Sequence, residues 1–121
     1  MIKYLLILLL FPSFVYSQSN YKEVDIQLVT ISPGHYYWEA FGHSAIRIKT
    51  PTYDHIYGFG YFDFEDEDFF LNFAKGEMQY YLGVQHADYE LLRYQSQGRE
   101  VKLQTLNISS SSKQNIIEEL T

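Results

Sequence analysis

Cysteine is absent from the 121 residues. That excludes disulfides, zinc–thiolate sites and a cysteine nucleophile within this stretch, so any stability must come from the core alone. Basic residues are also sparse. Nine Lys and Arg against 15 Asp and Glu give a formal net charge of −6. A net acidic chain without a basic cluster argues against nucleic acid as a partner. Only three prolines occur, and each marks a break: Pro12, Pro33 and Pro51. No internal repeat is present, and the only low-complexity stretch is Ser109–Ser112. What the chain has in quantity is aromatic: 12 Tyr, nine Phe and one Trp. These rings supply large buried areas with polar tips that need partners, in a core or in a groove facing lipid, glycan or peptide.

Residues 1–17 read as a secretory signal peptide. Lys3 gives a positive n-region, Leu5–Phe11 an apolar h-region, and Pro12 breaks the helix before Val15-Tyr16-Ser17. Cleavage is expected between Ser17 and Gln18. The apolar run is too short to span a bilayer. No cysteine follows it, so the chain itself is not a lipoprotein. Residues 18–121 then make one small exported domain whose net charge, after loss of Lys3, moves from −6 to about −7.

That domain reads as α+β, a small mixed or antiparallel sheet with flanking helices. Val24–Ile31 alternates Val24, Ile26 and Leu28 against Asp25 and Gln27, a first strand ended by Ser32-Pro33-Gly34. Tyr36, Tyr37, Trp38 and Phe41 make an aromatic turn. Gly42 then leads into a strand with Ser44, Ile46 and Ile48 on one face and His43, Ala45, Arg47 and Lys49 on the other. After Thr50-Pro51-Thr52 comes a strand over Asp54–Phe64. Its glycines Gly58 and Gly60 share one face, and Tyr57, Phe59, Tyr61 and Asp63 share the other. Two glycines at that spacing point to something packed very close to the strand. They are no nucleotide motif, because no helix opens after them and the third glycine is missing.

Glu65–Asp68 lacks the spacing and glycine of a calcium loop, and reads as acidic charge at the start of a helix. Phe69, Phe70, Phe73 and Ala74 form that helix's apolar face, which Gly76 closes. A tyrosine-rich strand over Met78–Val84 follows, then a helix over Ala87–Gln97 with Leu91, Leu92 and Tyr94 inside. Glu100–Leu106 is the last strand, and Lys113–Leu120 the last helix, capped by Ser112 or a neighbour.

His43 is the candidate catalytic residue. An imidazole at a strand end, beside a glycine corner and next to a small alanine on its own face, is both accessible and rigidly held. Against this stands a structural histidine at a strand edge. Pairing of the two central strands would bring Tyr57, Tyr61 or Asp63 near it; Asp63 is either the group that orients the imidazole or a solvated turn residue. No pair among His35, His43, His55 and His86 has the spacing of a zinc protease helix, so no metal and no cofactor are expected.

The run Ser32-Pro33-Gly34, Trp38, Phe41-Gly42-His43-Ser44-Ala45-Ile46-Arg47-Ile48, then Tyr57-Gly58-Phe59-Gly60-Tyr61-Phe62-Asp63-Phe64, resembles the Lnb N-terminal periplasmic domain family. Gly76-Glu77, Tyr80, Leu82-Gly83-Val84 and Gly98-Arg99 add to the likeness, which spans roughly residues 24–120. The resemblance implies an envelope protein of the periplasm. It also implies a lipoprotein N-acyltransferase in which this domain precedes a membrane-embedded part, with lipoprotein and phospholipid as substrates. The family is in turn similar to permuted NlpC/P60, papain-like proteins, in which a histidine that starts a strand precedes the catalytic cysteine. By that likeness His43 is the base, the cysteine lies in an Asn-Cys motif beyond Thr121, and a backbone N–H pair or a tyrosine such as Tyr57 holds the oxyanion.

The chain departs from this pattern in having no cysteine and no C-terminal membrane segment. It is therefore read as an N-terminal fragment, inactive by itself, with a degenerate relative as the competing reading. Two alternatives to the acyltransferase stand beside it: a Cys-His hydrolase of cell wall or lipid, and a non-catalytic envelope binding module.

Overall fold

The computed structural model describes residues 21–121; the segment read as a signal peptide lies outside the described residues. The fold is α+β, with an open five-stranded antiparallel sheet and three helices. The strands are β1 (Asp25–Ile31), β2 (His43–Lys49), β3 (Asp54–Tyr61), β4 (Tyr81–His86) and β5 (Val101–Thr105). The helices are α1 (Phe69–Lys75), α2 (Ala87–Ser96) and α3 (Ser110–Leu120). The sheet order is β4-β3-β2-β1-β5. The adjacency of β2 and β3 expected from the short turn at Pro51 is present, with Ile46 opposite Tyr57 and Lys49 opposite Asp54.

Both faces of the sheet are covered, which is why β1 departs from simple alternation. Ile26 is wholly buried on the face covered by α3, in a cluster with Val24, Ile48 and Tyr57 that Ile116, Ile117 and Leu120 close. Val29 and Ile31, on the face shared with Gln27, are just as buried, in a second cluster with Ala45, Ile56, Ala87 and Tyr94. Each fully buried Ile or Val contributes roughly 1.5–3 kcal/mol. One covered face would have left half of β1 in water.

Three local expectations are corrected. The Met78–Val84 strand is shifted to Tyr81–His86, because pairing with β3 begins only at the Tyr61–Tyr81 pair. On α2 the inner stripe is Ala87, Glu90, Leu91 and Tyr94, while Leu92 is 64% exposed. That stripe keeps the helical spacing of three and four, and Leu92 falls roughly a quarter-turn outside it. On α1 no residue is buried; Phe70 is 67% exposed and Ala74 is exposed, because this short helix lies over other aromatic rings rather than over the sheet. At α3 the capping neighbour is Ser109, whose hydroxyl accepts from the Ser112 N–H at 3.1 Å.

Candidate functional site

His43 opens β2 directly opposite Ile31 of β1. The residue before it can only be glycine. Gly42 has φ +74°, and a Cβ there would stand 2.5 Å from the Ile31 carbonyl oxygen. Its N–H bonds to the Glu39 carbonyl at 3.0 Å, tying the aromatic turn to the start of the strand.

The imidazole leans across to β3 and rests on its backbone. A Cβ on Gly58 would lie 3.3 Å from Nε2, and one on Gly60 would lie 3.0 Å from Cε1. The object that the paired glycines make room for is thus the ring of His43. Neither ring nitrogen has a hydrogen-bond partner among the described residues.

Gly60 has a second effect. Its φ of +126° accompanies an irregularity in the β3–β4 register between Phe59 and Tyr61. A bulge of this kind re-aims the next side chain. Tyr61 therefore leaves the Tyr57 face on which simple alternation would put it. It lies on the His43 side, its ring against Gly83, and its hydroxyl donates to Glu90 Oε1 at 3.3 Å.

Under these groups sits a charged network. Glu90 is only 2% exposed, and Arg93 grips it with Nε to Oε2 at 3.1 Å and Nη2 to Oε1 at 2.6 Å. Arg99 donates to the Ser32 carbonyl at 2.9 Å and to Glu39 Oε1 at 3.1 Å. Both guanidinium groups face the Tyr94 ring, at 4.6 and 5.2 Å from its centroid. Each buried charge is thus paired and hydrogen-bonded, as burial demands.

Above the network opens a cleft of about 740 Å³. His43, Glu90 and Arg93 lie among its polar lining, and Trp38, Phe41, Phe62, Phe64 and Tyr80 among its aromatic lining. Trp38 holds the aromatic wall together, 5.3 Å from the Phe64 ring and 5.7 Å from that of Phe69.

A model of the Lnb N-terminal periplasmic domain matches residues 10–121, almost the whole chain. The chain belongs to this family. No curated protein and no solved structure matches it. The family's description assigns this Lnb-type domain to the periplasm. Among the described residues no helix is long and apolar enough to cross a membrane.

The electrostatics of the Lnb-type site bias His43 toward its neutral form. Burial lowers its pKa below 6.5 first, the Arg99 charge lowers it further, Glu90 opposes this, and Arg93 adds to the lowering. At neutral pH the ring therefore offers a lone pair. Tyr61 is pushed up by burial and then by the Glu90 charge, which keeps its phenol a proton donor. For Glu90, burial works to raise the carboxyl. The Arg93 hydrogen bonds and charge, with help from Tyr94 and Tyr61, leave it below its ordinary value.

Of the residues singled out from sequence, the structure brings together His43 and Tyr61. Tyr57 is not in the cleft: it is 5% exposed in the opposite cluster with Val24, Ile26 and Ile48. Its place on the far face follows from β3 alternation, because Ile56 and Gly58 take the His43 side. Asp63 does not orient the imidazole either. It is exposed, and its Oδ1 accepts from the Glu65 N–H at 2.9 Å, so it is the solvated turn residue.

His55 and His86 are register partners, 4.8 Å apart by ring centroids, on the Tyr57 side of the sheet. Among the described residues no group of three or more His, Asp or Glu is placed to hold a metal ion.

Glu39, Glu90, Arg93 and Arg99 escaped the sequence reading. For Glu90 a signal existed. Continuing the Ala87–Leu91–Tyr94 stripe includes position 90, and Arg93 three residues on marks a paired charge. Arg99 stood in a recognised turn, but nothing local ties it to Glu39, 60 positions away.

Proposed function

We propose that this Lnb-type domain carries the base of an acyl-transfer site, with His43 acting on a cysteine thiol supplied from outside residues 1–121. The observation that carries the reading is the His43 ring itself: half-buried, biased to the neutral form, braced on Gly58 and Gly60, and facing an aromatic cleft. These are the requirements of a general base poised near neutral pH.

In this mechanism a ring nitrogen of His43 takes the thiol proton, and the thiolate attacks the carbonyl carbon of a phospholipid ester. The tetrahedral intermediate collapses to a thioester, and the lysophospholipid oxygen leaves with the proton returned by the imidazolium. The free amine of a diacylglyceryl-cysteine lipoprotein then attacks the thioester. His43 accepts the proton lost from that amine, the amide forms, and the thiolate is released. The aromatic lining suits acyl chains. Tyr61, rather than Tyr57, lines the cleft and stays protonated, which supports it as the tyrosine near a developing oxyanion, toward which its hydroxyl would turn from Glu90.

The test is acylation of a lipoprotein substrate by the protein extended to include the thiol, compared with its His43→Ala variant. Loss of at least about a hundredfold with unchanged thermal unfolding supports the base, since general acid–base assistance supplies about 10²–10⁴. A folded variant that keeps its activity would exclude it. A folded parent that hydrolyses the thioester but acylates no amine would select the hydrolase. A parent that does neither would leave the binding module.

A further inference from the structure

We infer that the mouth of the His43 cleft docks onto a lipid bilayer of amine-bearing zwitterionic phospholipid through a rim of exposed aromatic rings. Phe41 is 97% exposed, and Phe64 and Tyr80 are 59 and 52% exposed. All three line the same cleft, though they come from three separate stretches of chain: the turn before β2, the loop after β3, and the stretch before β4. Single exposed apolar side chains need no explanation, whereas several converging on one opening mark an interaction surface. The rim is also held in place. Gly42 fixes the corner from which Phe41 projects, and the Trp38–Phe64–Phe69 packing fixes the wall behind it.

The chemistry of the rim selects the partner. Tyr settles at the headgroup level of a bilayer, and Phe buries at the boundary with the acyl chains. Beside them Glu65, Asp66, Glu67 and Asp68 are all exposed, and residues 50–74 contain no Lys or Arg. That acidic shoulder is repelled by anionic lipid. It complements the outward ammonium of phosphatidylcholine or phosphatidylethanolamine, which ring faces also attract. A second copy of the chain is the poorer occupant, since stacking two such rims sets acidic shoulder against acidic shoulder. The family is one of periplasmic domains, in a compartment bounded by membranes. The inference does not rest on the chemistry of His43; a surface that docks and does nothing more satisfies it.

Trp38 is the only tryptophan and lines the cleft, so its fluorescence reports on the rim alone. The full chain is mixed with phosphatidylcholine vesicles brominated at acyl carbons near the headgroup. Quenching of Trp38 is expected. Phe41→Ser combined with Tyr80→Ser should reduce the partition coefficient read from that quenching by at least about tenfold, the scale of two lost ring burials. Replacing half the lipid by phosphatidylglycerol should weaken quenching at low salt and much less at high salt.

The inference is overturned if the chain sediments with vesicles while Trp38 stays unquenched, for then the apolar N-terminal segment does the binding. It is overturned equally if the double substitution leaves quenching unchanged, or if the rim closes on a second copy without lipid. Circular-dichroism melting checks that the double variant folds. If it does not, Phe41→Ser alone, at a ring almost wholly in solvent, carries the test with a smaller but measurable loss.

Discussion

The His43 ring and the Gly58 backbone are so close that a methyl group on Gly58 would stand 3.3 Å from Nε2. Such a gap is tighter than ordinary van der Waals contact, so the imidazole must shift by a few tenths of an ångström if the methyl is added. Gly58→Ala is therefore expected to fold with little loss while moving the His43 ring resonances in a ¹H–¹⁵N spectrum. Gly60→Ala should do worse. It meets Cε1 at 3.0 Å and forces a non-glycine residue to φ +126°. Backbone strain of this kind costs about 1–3 kcal/mol, measurable by urea unfolding. Equal stability of the two variants would contradict the contact geometry.

The pH dependence of stability follows from the depressed pKa of His43, caused first by burial and then by Arg99. Above the unfolded-state value of about 6.5 both states hold the ring neutral, and His43 contributes nothing to the slope. As pH falls through that value the unfolded chain binds a proton more readily than the folded one, and stability drops. The drop levels off below the lowered native pKa. Urea unfolding between about pH 5 and 8 should show this arm in the parent and a flatter one in His43→Gln. An unchanged arm would mean that another group carries it.

Glu90 ties Tyr61 and Arg93 to the cleft floor, so removing its charge has two separable effects. Glu90→Gln leaves the Arg93 guanidinium without its carboxylate and should destabilise the domain by roughly 1–3 kcal/mol. It also removes a charge that raises the His43 pKa, so that pKa should fall further, as read by NMR titration. The combined Glu90→Gln, Arg93→Met variant should recover part of the stability, because no unpaired charge remains. If the His43 titration does not move, the two groups are not electrostatically coupled across the cleft.

At the far end of the chain Ser109 caps α3. Ser109→Ala should cost about 1 kcal/mol and loosen the cover over Val24 and Ile26, since Ile116, Ile117 and Leu120 lie on that helix. Hydrogen exchange should accelerate at Ile26 and Ile48 but not at Val29, on the other face. Uniform acceleration would show that the two cores unfold together.

Much of this fold was legible because β2, β5 and the first half of β1 carry period-two patterns between turn residues, and because glycine marks the α1 and α2 stops. The His43 corner was legible for the same reason: a glycine, a histidine and an alternating strand are local signals. Tyr61 was harder. Its change of face depends on a bulge at Gly60, and counting alternate residues through a bulge gives the wrong side from there onward. The Arg99–Glu39 and Tyr61–Glu90 contacts join residues 60 and 29 positions apart. No local pattern encodes such pairings, and the charged floor of the cleft is built almost wholly from them.

The position of β1 has a consequence for how the chain reaches this state. β1 lies between β2 and β5, and its pairing with β5 joins Ile31 to Val101, 70 positions away. The Lys113 ammonium closes a longer loop still, onto the Val24 carbonyl, across 89 positions. Folds dominated by such distant pairings form slowly, on the order of milliseconds to seconds. A chain emerging from its N-terminus can assemble the β2–β3–β4 meander early, but β1 keeps one unpaired edge until Thr105 has followed. The residues that lock the first strand thus follow it by 70 to 89 positions, and until they have been made β1 has no partner on that edge.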